Sequence, residues 1–226
     1  MTSDPIPLSP KYRLSVVVPC YNEEEVLQEL HRRLTAACRD VVDEDYEIVL
    51  VNDGSRDKTW PMIRAMSDLD PHVVAVNLSR NHGHQLALTA GLSVCVGDRI
   101  LIIDADLQDP PELLGDMMDL ADQGADVVYG QRVSRAGESW FKKVTAVGFY
   151  RFLKLMSDVD IPLDSGDFRL ISRRALDTLL SMPEQFRFIR GMVTWIGYKQ
   201  VPLPYDRAER FAGVTKDPVK KMIRFS

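Results

Sequence analysis

Residues 99–112 read RILIIDADLQDPPE. Four consecutive branched apolar residues, Ile100 to Ile103, run into three carboxylates within six positions. An apolar run this short, without polar alternation, is the pattern of a strand buried on both faces, as in a parallel sheet. The carboxylates follow where such a strand would emerge at its carboxyl end, the edge at which open parallel sheets bind ligands. Asp104 and Asp106 repel each other unless a positive charge lies between them. With Gln108 they offer hard oxygen donors at alternating positions, a set suited to Mg²⁺ or Mn²⁺ shared with phosphate oxygens. The competing reading is a pair of aspartates capping a helix that starts near Pro110 and Pro111; Asp109 fits that cap better and leaves Asp104 and Asp106 for a ligand.

Working outward, the same alternation repeats. Val- and Ile-rich runs at 14–19, 47–52, 73–78, 100–104 and 126–130 are separated by helical patterns near 23–38, 58–68, 84–96 and 111–123. The first helical pattern carries Val26, Leu27, Leu30, Leu34 and Cys38 on one stripe. This order predicts an α/β fold with a mostly parallel sheet and helices on both faces. The runs end in PCYNEEE (19–25), NDGSRDKT (52–59), SRNHGHQ (79–85), DADLQD (104–109) and GQR (130–132). Five strands that deliver polar loops to one edge describe a site for a large polar ligand. No Gly-x-Gly-x-x-Gly follows the first strand and no P-loop lysine pattern occurs, which argues against a dinucleotide dehydrogenase or a P-loop NTPase. The Pro19-x-Tyr21-Asn-Glu23 turn leaves room for a flat base beside Tyr21, and Glu23 and Asp53 are placed to accept hydrogen bonds from base or ribose.

The 226 residues suit one large domain and carry a net charge of −5, so general nucleic-acid binding is not expected. That charge is uneven: from Arg187 onward there are nine Lys and Arg against three Asp and Glu. A basic end on an acidic body suits an anionic partner, the plain alternative being a solvated basic face. Cys20, Cys38 and Cys95 lack metal-ligand spacing and read as reduced core residues. Residues 1–11 read as a loose arm without signal-peptide features, and no stretch approaches 18 consecutive apolar residues.

Taken together, VVVPCYNEEE, IVLVNDGSRDKT, SRNHGHQLALTAGL, DADLQDPPE, GQRVSR, LDSGDFRLISRRA and VPLPYDRAERFAGVTK, in this order, resemble the inverting GT-A glycosyltransferases of family 2. Within them the chain is most similar to the polyprenyl-phosphate glycosyltransferases, the dolichyl-phosphate mannose synthase and bactoprenol glucosyltransferase group. The resemblance implies a GT-A domain over residues 12–215, with a nucleotide-sugar half at about 12–132 and an acceptor half at about 133–215. It implies that Pro19, Tyr21, Glu23 and Asp53 hold the nucleoside and that Asp104, Asp106 and Gln108 hold Mg²⁺ or Mn²⁺ on the donor diphosphate. Asp104 would also count among the nucleotide-binding residues, Arg132 would reach a phosphate, and Asp167 would lie near the sugar or the attacking oxygen, as base or as positioner. An Asp capping the FRLISRRA segment is the plain alternative for Asp167. Arg135, Arg207, Arg210 and Lys216 would serve the acceptor and its phosphate, with Asp217 standing where the family often has an aromatic.

The implied reaction moves glucose from UDP-glucose to undecaprenyl phosphate with inversion; GDP-mannose as donor, or a soluble saccharide as acceptor, are the alternatives. A lipid phosphate agrees with residues 132–154, whose six Lys and Arg are interleaved with five aromatics, and with residues 216–226, which read as a short basic amphipathic helix. Both would rest peripherally on an anionic membrane surface at its cytoplasmic face; a helix packed on its own domain is the alternative for the second. Relatives of this kind often continue into transmembrane helices beyond the position of Ser226. A homo-oligomer is compatible with the sequence.

Overall fold

The computed structural model describes residues 11–133, 165–184 and 187–206. Seven strands form one sheet: β1 (Tyr12–Cys20), β2 (Tyr46–Asn52), β3 (Val73–Asn77), β4 (Gly97–Ile102), β5 (Val127–Arg132), β6 (Ser165–Ser172) and β7 (Gln200–Tyr205), in the order β3-β2-β1-β4-β6-β5-β7. The helices are α1 (Leu27–Val42), α2 (Thr59–Leu69), α3 (His84–Val94), α4 (Leu114–Asp122), α5 (Arg173–Ser181) and α6 (Ile189–Trp195), with a 3₁₀ turn at Pro111–Leu113 leading into α4.

Because successive strand residues face opposite ways, the apolar runs feed two cores. Leu14, Val16, Val18, Ile48, Leu50 and Leu101 pack against α1, α2 and α4. Val17, Val49, Val51, Ile100 and Ile102 pack against α3, α5 and α6. These strand residues are almost wholly excluded from solvent, and burying each such side chain is worth about 1.5–3 kcal/mol. The result is the expected α/β arrangement with helices on both faces. Cys20, Cys38 and Cys95 are buried thiols, and burial pushes Cys38 up to about 12 and Cys95 to about 11, so both stay protonated and inert.

β1 pairs in parallel with β2 and β4, and β2 with β3. The connection reverses direction beside β1, which makes the β1/β4 boundary the switch point of the sheet. β6 runs antiparallel between β4 and β5, with Ile102 opposite Arg169 and Tyr129 opposite Arg169 on its two sides. A strand from the second half of the chain thus stands between β4 and β5. An antiparallel strand brings its first residues to the edge where its neighbours end, so Asp167 arrives beside the carboxyl ends of β4 and β5.

Three local expectations are corrected. α1 begins at Leu27 and not at residue 23, because the backbone N–H groups of residues 22–24 are held by the loop after β2. Asp109 does not cap the helix that follows. The residue preceding the 3₁₀ turn is Pro110 and no side chain caps it, while Asp109 turns inward toward β7. Asp167 lies in β6 and does not cap α5; Ser172 does so by accepting from the Ala175 N–H. Among the described residues no helix is long and apolar enough to cross a membrane.

Candidate active site

The loops at the carboxyl edge are tied to one another in sequence across the sheet. After β1, the Asn22 N–H donates to Ser55 Oγ (3.0 Å), the Glu23 N–H to Thr59 Oγ1 (2.7 Å) and the Glu24 N–H to Asp57 Oδ2 (3.2 Å). In return the Arg56 and Lys58 N–H groups donate to Asn22 and Glu24 side chains. Asn22 takes a left-handed φ of 53°, a conformation that Asn tolerates better than most residues. Pro19 is in β1 opposite Val51, and Tyr21 follows partly exposed. These residues and Glu23 border one end of the edge.

Asp53, only 3% exposed, accepts the His82 N–H on Oδ1 (2.7 Å) and the Gly83 N–H on Oδ2 (3.0 Å). Its immediate structural duty is thus to fix the loop between β3 and α3. Gly54 is required here: its φ is 63°, and a Cβ would collide with the backbone of Arg80 and Asn81. The β3–α3 loop in turn places His84 and Gln85, the first two residues of α3, against β6. His84 Nε2 lies 3.0 Å from Asp167 Oδ2 and 3.7 Å from Asp104 Oδ1. Gln85 Nε2 donates to the same Asp167 oxygen at 3.2 Å.

After β4 the chain makes a tight turn. The Gln108 N–H donates back to Asp106 Oδ1 at 3.1 Å, a turn closed by the aspartate's own side chain. Between them Leu107 adopts a left-handed φ of 58° with its side chain buried. For a leucine that conformation costs about 1–2 kcal/mol, a strain of the kind stored where side chains must be aimed. The turn presents Asp104, Asp106 and Gln108 on one stretch. Burial, reinforced by the carboxylates of Asp167, Asp109 and Asp106 and opposed by His84, pushes Asp104 up to about 6. Among the described residues no three His, Cys, Asp or Glu side chains gather closely enough to cage a metal by themselves. Two carboxylates and an amide beside a crowd of negative charge do fit a hard dication that completes its shell with ligand phosphate oxygens.

Across the gap, Asp167 is held well below the usual range. Burial would raise it, but the His84 hydrogen bond and the guanidinium groups of Arg169 and Arg190, each 3.9 Å from Oδ1, bring it to about 2. Arg169 is buried and donates to the Gly166 and Asp167 carbonyls, so it braces the strand. Arg132, at the end of β5, lies over Gly166, where a Cβ would come within 2.6 Å of its Nη2. Its Nε donates to the Tyr205 hydroxyl (3.4 Å), which donates to the buried Asp109. Burial and that bond push Tyr205 up to about 12. Replacing Tyr205 by Phe is expected to lower stability by about 1.5–3 kcal/mol, the usual loss for a bond to a buried carboxylate; urea unfolding measures it.

The structure thus brings together Asp104, Asp106, Gln108, Asp167 and Arg132, with Pro19, Tyr21, Glu23 and Asp53 along the same edge. Arg135, Arg207, Arg210 and Lys216, the basic aromatic stretch from residue 134 on, residues 1–10 of the N-terminal arm and the helix at 216–226 lie outside the described residues. His84, Gln85, Arg190 and Tyr205 join the site without a role assigned from sequence. The HGH triplet at the end of the third strand is the one available signal for His84.

Comparison with known proteins bears on the family and the fold. The chain is 48% identical over 219 residues to the glycosyltransferase YkcC of Bacillus subtilis (strain 168), covering 97% of this chain and 68% of that protein. It is 39% identical over 204 residues to the prophage bactoprenol glucosyl transferase homolog of Escherichia coli (strain K12), covering 90% of this chain and 66% of the relative. The chain therefore spans about two thirds of the length of these relatives. Among solved structures, the mannosyltransferase PcManGT from Pyrobaculum calidifontis, in complex with GDP-Man and Mn²⁺, shares the fold with a TM-score of 0.59 at 23% identity, over 89% of this chain and 59% of that one. A crystal structure of residues 1–349 of TarS from S. aureus does so with a TM-score of 0.58 at 19% identity, over 84% of this chain and 58% of that one. The family model for glycosyl transferase family 2 matches residues 15–180, and the chain belongs to that family of glycosyltransferases, on a GT-A type α/β fold.

Proposed function

We propose that the chain is the catalytic part of an inverting glycosyltransferase that moves glucose from UDP-glucose to undecaprenyl phosphate. One observation carries the reading: the antiparallel β6 sets Asp167 against His84 at 3.0 Å, and His84 lies 3.7 Å from Asp104. In this reading the Asp104–Gln108 turn serves the donor and Asp167 the acceptor, at the switch point of the sheet. The sugar and acceptor classes are supported by relatives named bactoprenol glucosyl transferase, at 39% identity in Escherichia coli and 37% in Shigella phage SfV.

In this reading Pro19, Tyr21, Glu23 and Asp53 form the nucleoside side. Asp104, Asp106 and Gln108 would hold Mg²⁺ or Mn²⁺ against the donor diphosphate. When bound, such a cation takes up negative charge that develops on the leaving phosphate. Arg132, held by Tyr205, offers a planar fork to a phosphate oxygen. Asp167 is ionised at any working pH and orients donor or acceptor. Arg135, Arg207, Arg210 and Lys216 would receive the acceptor phosphate, with residues 132–154 and 216–226 resting on an anionic membrane surface at its cytoplasmic face.

The test is transfer by the purified chain with Mg²⁺ or Mn²⁺, undecaprenyl phosphate and a panel of UDP, GDP and dTDP sugars, with product stereochemistry read by NMR. A β-linked glucosyl lipid from UDP-glucose is the expected result. Thermal shift with the free nucleotides reports the base preference separately, since a ligand that binds the folded state raises its apparent stability. Transfer from GDP-mannose alone, or only to a soluble saccharide, overturns the substrate assignment.

A further inference from the structure

Gln85 uses both ends of its amide. Nε2 donates to Asp167 Oδ2 (3.2 Å), and Oε1 accepts the Ile189 N–H (2.9 Å). One side chain on α3 therefore fixes β6 and the start of α6 together. The next residue of α6 is Arg190, whose Nε stands 3.9 Å from Asp167 Oδ1. That separation holds an ion pair but exceeds a hydrogen bond. Nε and Oδ1 are both buried, and neither makes a hydrogen bond among the described residues.

Buried polar atoms are almost always hydrogen-bonded, and leaving one unbonded is costly. The neighbouring Arg169 shows the contrast. It approaches the same Oδ1 at 3.9 Å but donates to two backbone carbonyls and is closed off from solvent. Arg190 keeps 29% of its side chain exposed, so solvent still reaches part of it although Nε is buried. The guanidinium carbon lies over the Phe188 ring, 6.0 Å from its centroid. Phe188 folds back over Gly191, where a Cβ would come within 2.7 Å of the ring. The guanidinium is thus set against an aromatic ring and a carboxylate, on a side chain that solvent still reaches.

A phosphate dianion approaching this gap meets Asp104, Asp106 and Asp167, all of one sign. It needs a cation on the Asp167 side, and the planar fork of a guanidinium suits a phosphate. We propose that Arg190 receives the phosphate monoester of the acceptor, and that Gln85 is the positioning residue that sets Arg190 against Asp167. This rests on the lipid-phosphate acceptor of the preceding reading.

The experiment compares wild type with Arg190→Gln, Arg190→Lys and Gln85→Met. It reads initial rates against undecaprenyl phosphate and against the nucleotide sugar, together with the thermal shift from UDP and Mn²⁺. Arg190→Gln is expected to raise the KM for the lipid phosphate by about 10–100-fold, the factor that loss of charge-assisted bonds implies. Arg190→Lys should recover part of that loss, and Gln85→Met should move the same KM in the same direction. Donor KM and the UDP shift should stay at wild-type values in all three. If Arg190 merely balances the charge of Asp167, melting temperature, donor KM and acceptor KM all worsen together, which overturns the inference. Wild-type transfer to lipid phosphate with an unchanged acceptor KM in Arg190→Gln overturns it too and leaves the proposed function standing. A wild type that uses a soluble saccharide and never a lipid phosphate removes both.

Discussion

Asp106→Asn is expected to reduce sugar transfer by about 10³-fold or more, and Asp104→Asn to do the same while raising the melting temperature of the metal-free protein. The first effect follows from charge. A cation that stabilises a departing phosphate contributes several kcal/mol to the barrier, and each 1.36 kcal/mol is tenfold in rate. An amide keeps the shape of the turn but loses the negative charge that would hold the cation. The second effect follows from the position of Asp104. Its pKa is raised to about 6, first by burial and then by the carboxylates around it. A group raised in the folded state contributes its stability below its unfolded pKa and loses it as pH rises through the folded value. Ionised Asp104 therefore weighs against the fold at neutral pH. A shift of this size corresponds to roughly 3 kcal/mol at 1.36 kcal/mol per unit. The side chain is 32% exposed, so solvent screening reduces this to about 1 kcal/mol. That amounts to about 2–4 °C for a domain of this size. Calorimetry in EDTA at pH 7.5 measures it. Mg²⁺ or Mn²⁺ with UDP should then raise the melting temperature of the wild type and leave Asp104→Asn unmoved. An Asp104→Asn variant that melts below the wild type in EDTA would show that Asp104 serves the fold and not a ligand.

What can be read from the sequence is what depends on neighbours in the chain. The apolar runs mark the first five strands because burial on both faces forces a continuous Val- and Ile-rich pattern. The stripe from Val26 to Cys38 is buried as expected, although α1 starts one turn later. The polar loops are legible because they follow those strands directly. What cannot be read depends on partners far along the chain. Nothing in DFRLIS says that it enters the sheet antiparallel between β4 and β5, since that pairing joins residues about seventy positions from β4. Asp109 looks like a cap because its sequence neighbours are prolines, yet Tyr205, 96 positions away, takes it inward. Gln85 and Arg190 carry no signal of their own, and His84 carries only the HGH triplet. Their roles arise from Asp167, which only the strand order brings near them. Asp53 has the pattern of a ligand residue, and it also fixes the loop that delivers His84.

Asp167→Asn is expected to lower kcat/KM by about 10²-fold, the loss that follows when a positioned reacting group is misplaced by about 1 Å. It should leave the acid side of the pH–rate profile where it was. A general base works best with a pKa near the working pH. Asp167, held at about 2 by His84 and two guanidinium groups against the effect of burial, is a weak base at neutral pH. A phosphomonoester needs none, because its second pKa is about 6 and it is largely dianionic at pH 7. The rate should fall as pH drops through about 6, following protonation of the acceptor. Replacing the lipid phosphate by an isosteric phosphonate, whose second ionisation lies higher, should move that limb to higher pH in wild type and Asp167→Asn alike. The stability signature has the opposite sign to that of Asp104. A carboxylate depressed in the folded state stabilises above its unfolded pKa, and that contribution is lost as pH falls toward 2. The Asp167→Asn variant should accordingly be less stable than wild type at pH 7 by about 3 kcal/mol, because the buried Arg169 loses a counter-charge, with the difference closing as pH falls toward 2. An acid limb that disappears in Asp167→Asn and ignores the exchange of phosphate for phosphonate would make Asp167 the base and remove the need for an acceptor that arrives already ionised.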